Sequence, residues 1–272
     1  MTSISDLEKI SANREGFNLR ARAHMQSSYY DVERFKQGHN MLRKLEQEEL
    51  GDVRGRSLLE LQCHIGVNSL SLARMGAQVT GTDISDEAID IARELAEELD
   101  LDASFVQANL YDLPKVLDGQ FDMVFTGYGT LSFLPDINGW AEVAARYVKP
   151  GGTLTVVEIH PMLTLFSDVG GELRVTRSLF QSRDVHHEMS KSYADRIADE
   201  VEVETHSLYG WRWSVDEVVN ALIGVGLTIE RIREVPYDAR QRLPLMVPDG
   251  DHNWRIPGDP IPLSFSCTAR RR

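Results

Sequence analysis

The chain has 272 residues, 42 Asp and Glu against 29 Lys and Arg, and a formal net charge of −13. That length allows one large domain or two small ones, and it buries about three-quarters of the unfolded surface without needing a metal or disulfide staple. The acidic balance argues against a phosphate-tracking surface, no apolar run approaches a membrane span, and the acid-bearing N-terminus is not a secretory signal.

Cys63 and Cys267 are an isolated pair far apart in the chain, which fits a reducing compartment, so a cytoplasmic protein is expected. Residues 1–50 read as two amphipathic helices, an N-terminal helical cap ahead of a domain over 51–272. From residue 57 short apolar runs alternate with helical periods, the pattern of an α/β domain with a parallel sheet. Strands are expected at 57–61 (SLLEL), 78–83 (QVTGTD), 104–109 (SFVQAN), 121–127 (FDMVFTG) and 153–160 (TLTVVEIH). Between them lie helices at 67–75, from Ser85 as N-cap to about Leu99, and from about Asp136 to Val148.

Residues 161–210 lose this regularity, with VEVETHSLY as an edge or cap strand, and read as a lid or substrate insertion. Ser214 and Glu217 then form a capping box ahead of a helix ending near Gly226. TIERIREV (228–235) is a further strand. No helical pattern separates it from LSFSCTAR (263–270), and six of the ten prolines fall between them, so the last strand should be antiparallel to its neighbour. The fold class is therefore α/β: a Rossmann-like seven-stranded sheet with an antiparallel terminal strand, helices on both faces, an N-terminal helical cap and an insertion after strand five.

The strongest motif is Leu59-Glu60-Leu61-Gln62-Cys63-His64-Ile65-Gly66, placed where such a fold puts its nucleotide turn. A pyrophosphate would need small glycines where Gln62 and His64 stand, and Glu60 would repel it. A carboxylate there suits an ammonium and a sulfonium, which points to S-adenosyl-L-methionine rather than NAD. Asp83 ends the second strand where ribose hydroxyls are held, with Ile84 beside it to cover an adenine face. Asn109 ends the third, its amide suited to an adenine edge and Leu110 to the ring. One polar residue closes each successive strand in phase.

ELQCHIG, GTDIS, QANLYDLP, FDMVFTGYGTLSFLPDINGW and VKPGGTLTVVE together resemble the successive motifs of class I S-adenosylmethionine-dependent methyltransferases, over about residues 55–160. Two departures from the family stand out: Gln62 and His64 replace the first two motif-one glycines, and Asn109 replaces the third motif's acid. The resemblance implies that backbone at Thr126 and Gly127 holds the methionine amine. It also implies that Tyr30, or Tyr29 beside it, closes the pocket or touches the methionine carboxylate. SYYDVERF and NWRIPGDPIPLSFS are similar to a less characterised branch, which brings no substrate with it.

For the chemistry, Glu158 and His160 fall at the end of strand five, where an acceptor would meet the methyl, and either type of side chain can take a proton. His206, Tyr209, Trp211 and Trp213 could wall an apolar acceptor. His186-His187-Glu188 does not complete a metal-ligand spacing, so no metal is expected. The leading expectation is methyl transfer to an oxygen or nitrogen, with carbon open, of a small-molecule acceptor. Aminocarboxypropyl transfer, internal cyclisation of the cofactor, or binding without turnover are the alternatives. Nucleic acid and membrane are not expected partners, and a homodimer through the N-terminal helices is left open.

Overall fold

The computed structural model describes residues 4–180, 184–191, 202–250 and 253–272. Three helices come first: α1 (Asp6–His24), α2 (Val32–Lys36) and α3 (Lys44–Leu50). The regular part follows as β1 (Ser57–Leu61), α4 (Val67–Arg74), β2 (Gln78–Asp83), α5 (Asp86–Glu98), β3 (Ala103–Gln107), β4 (Phe121–Thr126), α6 (Ile137–Tyr147) and β5 (Val148–Ile159). Two hairpins come next, β6 (Phe166–Val169) with β7 (Glu172–Val175), and β8 (Asp184–Lys191) with β9 (Glu202–Trp211). The chain closes with α7 (Val215–Gly224), β10 (Thr228–Val235), the short β11 (Tyr237–Asp238), β12 (Val247–Pro248) and β13 (Trp254–Arg255), and β14 (Ser264–Arg270).

The main sheet has seven strands in the order β10-β14-β5-β4-β1-β2-β3. β1 to β5 pair in parallel, and β14 runs antiparallel between β5 and β10. Alternation sends neighbours to opposite faces. Leu59, Val124 and Phe265 meet Trp140 and Tyr147 of α6 and Leu222 of α7. Leu58, Phe125 and Val157 meet Leu45 and Leu50 of α3. Thus α3 belongs to the layer that covers the sheet, and it delivers its first turn to the carboxyl ends of the strands.

Two expectations change. The N-terminal segment forms three helices rather than two, and α1 is not amphipathic: Asn13, Gly16, Arg20 and His24 are among its buried residues. The reason is its place between two polar surfaces. Asn13 exchanges two 2.8 Å hydrogen bonds with the Tyr209 backbone of β9, while Arg14 and Asn18 donate to Asp86 at the start of α5. The insertion after β5 is likewise more ordered than its sequence pattern suggests, with the VEVETHSLY segment from Glu202 onward forming β9. β8 carries mostly exposed side chains and β9 mostly half-buried ones, which leaves little apolar alternation to read.

Candidate active site

The turn after β1 keeps a left-handed backbone without the glycines that usually supply it. Gln62 has φ of 59°, His64 of 50° and Gly66 of 74°. For a non-glycine residue this conformation costs roughly 1–2 kcal/mol. Local bonds hold it: the Gln62 amide donates to the Thr130 carbonyl (3.1 Å), and the His64 N–H donates to Asp83 Oδ2 (2.9 Å). Gly66 is obligatory, because a Cβ there would lie 2.7 Å from that of Ala92 and 2.9 Å from the Phe105 ring.

Two adjoining cavities open beside this turn and share Tyr30, Gln62, His64, Tyr128 and Thr130. The first is lined by Asp83, Ile84, Asn109 and Leu110 from the strand ends and by Phe17 and Phe133 from above. Asp83 is anchored there by the N–H groups of His64 and Ser85 (both 2.9 Å), and burial pushes its carboxyl up. Asn109 caps the following turn, accepting from the Tyr111 N–H.

The second cavity is lined by Arg43, Glu46, Glu60, Asn68 and Gly127, among others. Glu60 is buried and accepts a hydrogen bond from the Ser69 hydroxyl. Burial pushes Glu60 up to about 8, with Glu46 and Asp83 adding to the shift, and burial pushes Glu46 up to about 7. Arg43 Nη2 donates to the Tyr29 carbonyl (2.5 Å), while its buried Nη1 has no hydrogen-bond partner among the described residues. Gln62 Oε1 is in the same position. A guanidinium donor facing two carboxylates is the donor set for a group bearing both a carboxylate and an ammonium.

Of the sequence-predicted residues, Tyr30, Gln62 and His64 line both cavities; Glu60 and Gly127 line the second, and Asp83, Ile84, Asn109 and Leu110 the first. Gly66 and Thr126 line neither; Gly66 shapes the turn, and Thr126 is fully buried at the end of β4. Arg43 and Glu46 went unread in the sequence. Their signal was a buried R-x-x-E capping arrangement on α3, in which Glu46 accepts from the Arg43 N–H (2.6 Å).

A larger apolar chamber of about 410 Å³ lies above β5, with Phe133, Leu163, Leu208, Trp211 and Trp213 in its wall. A further cavity of about 320 Å³ forms the passage to the first cavity: it shares Tyr30, Tyr128, Gly129 and Phe133 with that cavity and Ile159, His187, Leu208 and Arg242 with the chamber. Glu158 lines the chamber and accepts from the N–H groups of Gly129 (2.5 Å), Leu131 (2.9 Å) and Ile159 (2.6 Å); burial pushes it up to about 7. His160 is not brought there. Its Nδ1 caps the Met162 N–H, its Nε2 meets Glu234 of β10 at 2.9 Å, and its ring sits edge-on to Phe265. The inserted β14 turns it toward the far edge of the sheet, so it lines neither cavity nor chamber among the described residues. His187 lines the chamber, whereas His186 stacks on Tyr209. Trp211 and Trp213 are chamber walls, and His206 packs against Gly16 of α1.

A methyltransferase-domain family model matches residues 58–152. Ubiquinone biosynthesis O-methyltransferase of Bordetella avium is 31% identical over 179 residues, which is 63% of this chain and 73% of that protein. The chain belongs to the class I S-adenosylmethionine-dependent methyltransferases. The corresponding enzyme of Alkalilimnicola ehrlichii is 31% identical, over 59% of this chain and 66% of its own length. Demethylmenaquinone methyltransferase of Lactococcus lactis is 34% identical over 52% and 58%. The alignments thus span between about half and three-quarters of these relatives' lengths. Solved structures agree in fold at 20% identity: an S-adenosylmethionine-dependent methyltransferase from Mesorhizobium loti (TM-score 0.59, 87% of this chain and all of that one) and the DhpI–SAH complex (TM-score 0.59, 97% of each). This methyltransferase therefore uses S-adenosylmethionine, and the two cavities suit that cofactor's two ends. No helix among the described residues is long and apolar enough to cross a membrane.

Proposed function

We propose that the protein is a cytoplasmic enzyme that methylates an oxygen, or else a nitrogen, of a small-molecule acceptor held in the chamber above β5. The observation that carries this reading is the passage: Tyr30, Tyr128, Gly129 and Phe133 line both the first cavity and the route into the chamber. Oxygen is preferred because two of the relatives are named O-methyltransferases.

When bound, S-adenosylmethionine supplies an electrophilic methyl group on its sulfonium. Asp83 accepts hydrogen bonds from the ribose hydroxyls, Asn109 meets the adenine edge, and Ile84 and Leu110 cover the ring. Arg43 takes the cofactor's carboxylate on its unpartnered Nη1, while Glu46, Glu60 and the Gly127 backbone surround its ammonium. Phe133 and the tryptophans exclude water from the acceptor, so that proximity and alignment supply most of the acceleration. Glu158 holds the Gly129–Leu131 loop through two N–H groups and receives the acceptor's proton, a role its value near 7 suits.

The test is product analysis. Purified protein incubated with methyl-labelled cofactor and a panel of phenols, carboxylic acids and amines should release S-adenosylhomocysteine in step with a labelled methylated product. Release of methylthioadenosine would instead indicate aminocarboxypropyl transfer or cyclisation.

A further inference from the structure

The chamber's charge is at odds with that of the whole molecule. In a chain of net charge −13, the charged residues that line the chamber and its passage, among the described residues, are Arg177, Arg212, Arg240, Arg242 and one carboxylate, Glu158. Glu158 accepts from three backbone N–H groups, which offset part of its charge. Behind the wall stands Asp238, fully buried, so among the described residues four arginines face two carboxylates here.

Arg242 is built in rather than draped over the surface. It lines both the chamber and the passage, and its Nε donates to both Asp238 oxygens at 3.0 Å. Asp238 is fixed in turn by the Arg240 N–H at 2.8 Å. Held through Nε, the guanidinium keeps its Nη1 and Nη2 edge for another partner, and among the described residues neither nitrogen donates to a protein acceptor. A planar two-nitrogen edge matches the geometry of a carboxylate or phosphate. Apart from Ser132, Thr164 and His187 the rest of the wall is mainly apolar and aromatic, which suits a hydrophobic body and gives the charge a poorly screened setting.

We propose that the acceptor is an oxyanion-bearing molecule with an apolar body, and that Arg242 is the residue that selects it by pairing with its carboxylate or phosphate group. This rests on the chamber being the acceptor site, as proposed above. The anionic head lies at Arg242 and the body against Phe133 and Leu208, which directs the other end of the molecule through the passage toward the first cavity.

The test uses defined probes on protein saturated with S-adenosylhomocysteine. Calorimetry or ligand-observed NMR compares 3-phenylpropionate and benzyl phosphate with the neutral 3-phenylpropionamide. The stronger anion should bind at least tenfold more tightly than the amide, and which anion wins identifies the head group. Arg242→Gln should erase most of that preference, and Arg242→Lys should keep part of it. Equal or tighter binding of the amide, no detectable binding of either anion, or an undiminished preference in a folded Arg242→Gln variant would overturn the proposal. The unsubstituted protein decides the first two outcomes alone, so a misfolded variant does not block the test. Failure of S-adenosylhomocysteine to bind would count against the cofactor cavities instead, and methyl transfer to neutral acceptors only would refute the oxyanion while leaving the proposed function standing.

Discussion

His24 Nδ1 lies 2.6 Å from His64 Nε2, so a hydrogen bond ties α1 to the strained turn after β1. Tyr30 stacks on His24 at 5.2 Å and leans on His64. Burial is the main cause that lowers both rings: His64 falls to about 3 and His24 well below its usual value, with the Arg20 charge adding to each shift. The folded pair is therefore neutral. The unfolded chain binds protons as pH drops below about 6.5 and the folded one does not, so these rings make stability fall with acid. Melting temperature should decline between about pH 6.5 and 5, and His24→Phe should flatten that limb. An identical pH dependence in the variant would show that the pair does not link α1 to the turn.

The carboxylates of the second cavity work in the opposite sense. Glu60 near 8 and Glu46 near 7 lie above their unfolded values, so their contribution is present in acid and is lost as pH rises through those folded values. A bound cation would pull the protons off. Cofactor binding at pH 7 should release on the order of one proton, read as a buffer-dependent calorimetric enthalpy. Glu60→Gln should reduce that release. Enthalpies independent of the buffer would remove these acids from the site.

Asp83 has two jobs, and its loss should show both. It accepts from the N–H groups of His64 and Ser85 besides facing the first cavity. Asp83→Ala leaves two buried donors unpaired, at a cost of about 1–3 kcal/mol each. A lower melting temperature and a loss of cofactor affinity of roughly 10–100-fold for each ribose hydrogen bond removed should therefore appear together, since such charge-assisted bonds are each worth about 1.5–3 kcal/mol. Lower stability with unchanged affinity would confine Asp83 to the turn.

Glu158 and His160 should separate in kinetics. Turnover should fall as pH drops below about 7, the value of Glu158, because a protonated carboxyl cannot receive the acceptor's proton. His160→Gln should lower thermal stability and leave kcat within a few-fold, since its ring pairs with Glu234 and the Met162 N–H away from the chamber. Glu158→Gln should lower kcat by about 10²–10⁴-fold and abolish the acid limb. Retention of that limb in Glu158→Gln would shift the proton acceptor to His187, the chamber's histidine.

The sheet was legible because its strands are short apolar runs and its helices begin at capping side chains. Ser85 accepts from the Ala88 N–H, Asp136 from those of Asn138 and Gly139, and Ser214 forms its capping box with Glu217. Asp83 closes β2 and Ile84 follows it, so strand phase fixes where both face, whereas Asn109 lies two residues past the end of β3 and is placed as the cap of the next turn. Other parts depend on packing between distant segments. Arg43 and Glu46 reach the site only because α3 lies against the sheet, and α1 carries polar buried residues that mimic a surface helix. His160 follows β5 and caps the next turn, and its ring meets Glu234 of β10, a contact between residues 74 apart in the chain.

The most direct test of the account is whether Arg43 holds the amino-acid end of the cofactor. Calorimetry would compare S-adenosylhomocysteine with methylthioadenosine, which shares the adenosine and lacks the carboxylate and ammonium. The native protein should bind S-adenosylhomocysteine at least about tenfold more tightly, a difference of roughly 1.4 kcal/mol or more, and Arg43→Met should lose most of that advantage. Equal affinities in the native protein, or an advantage untouched by Arg43→Met, would contradict the assignment of the second cavity.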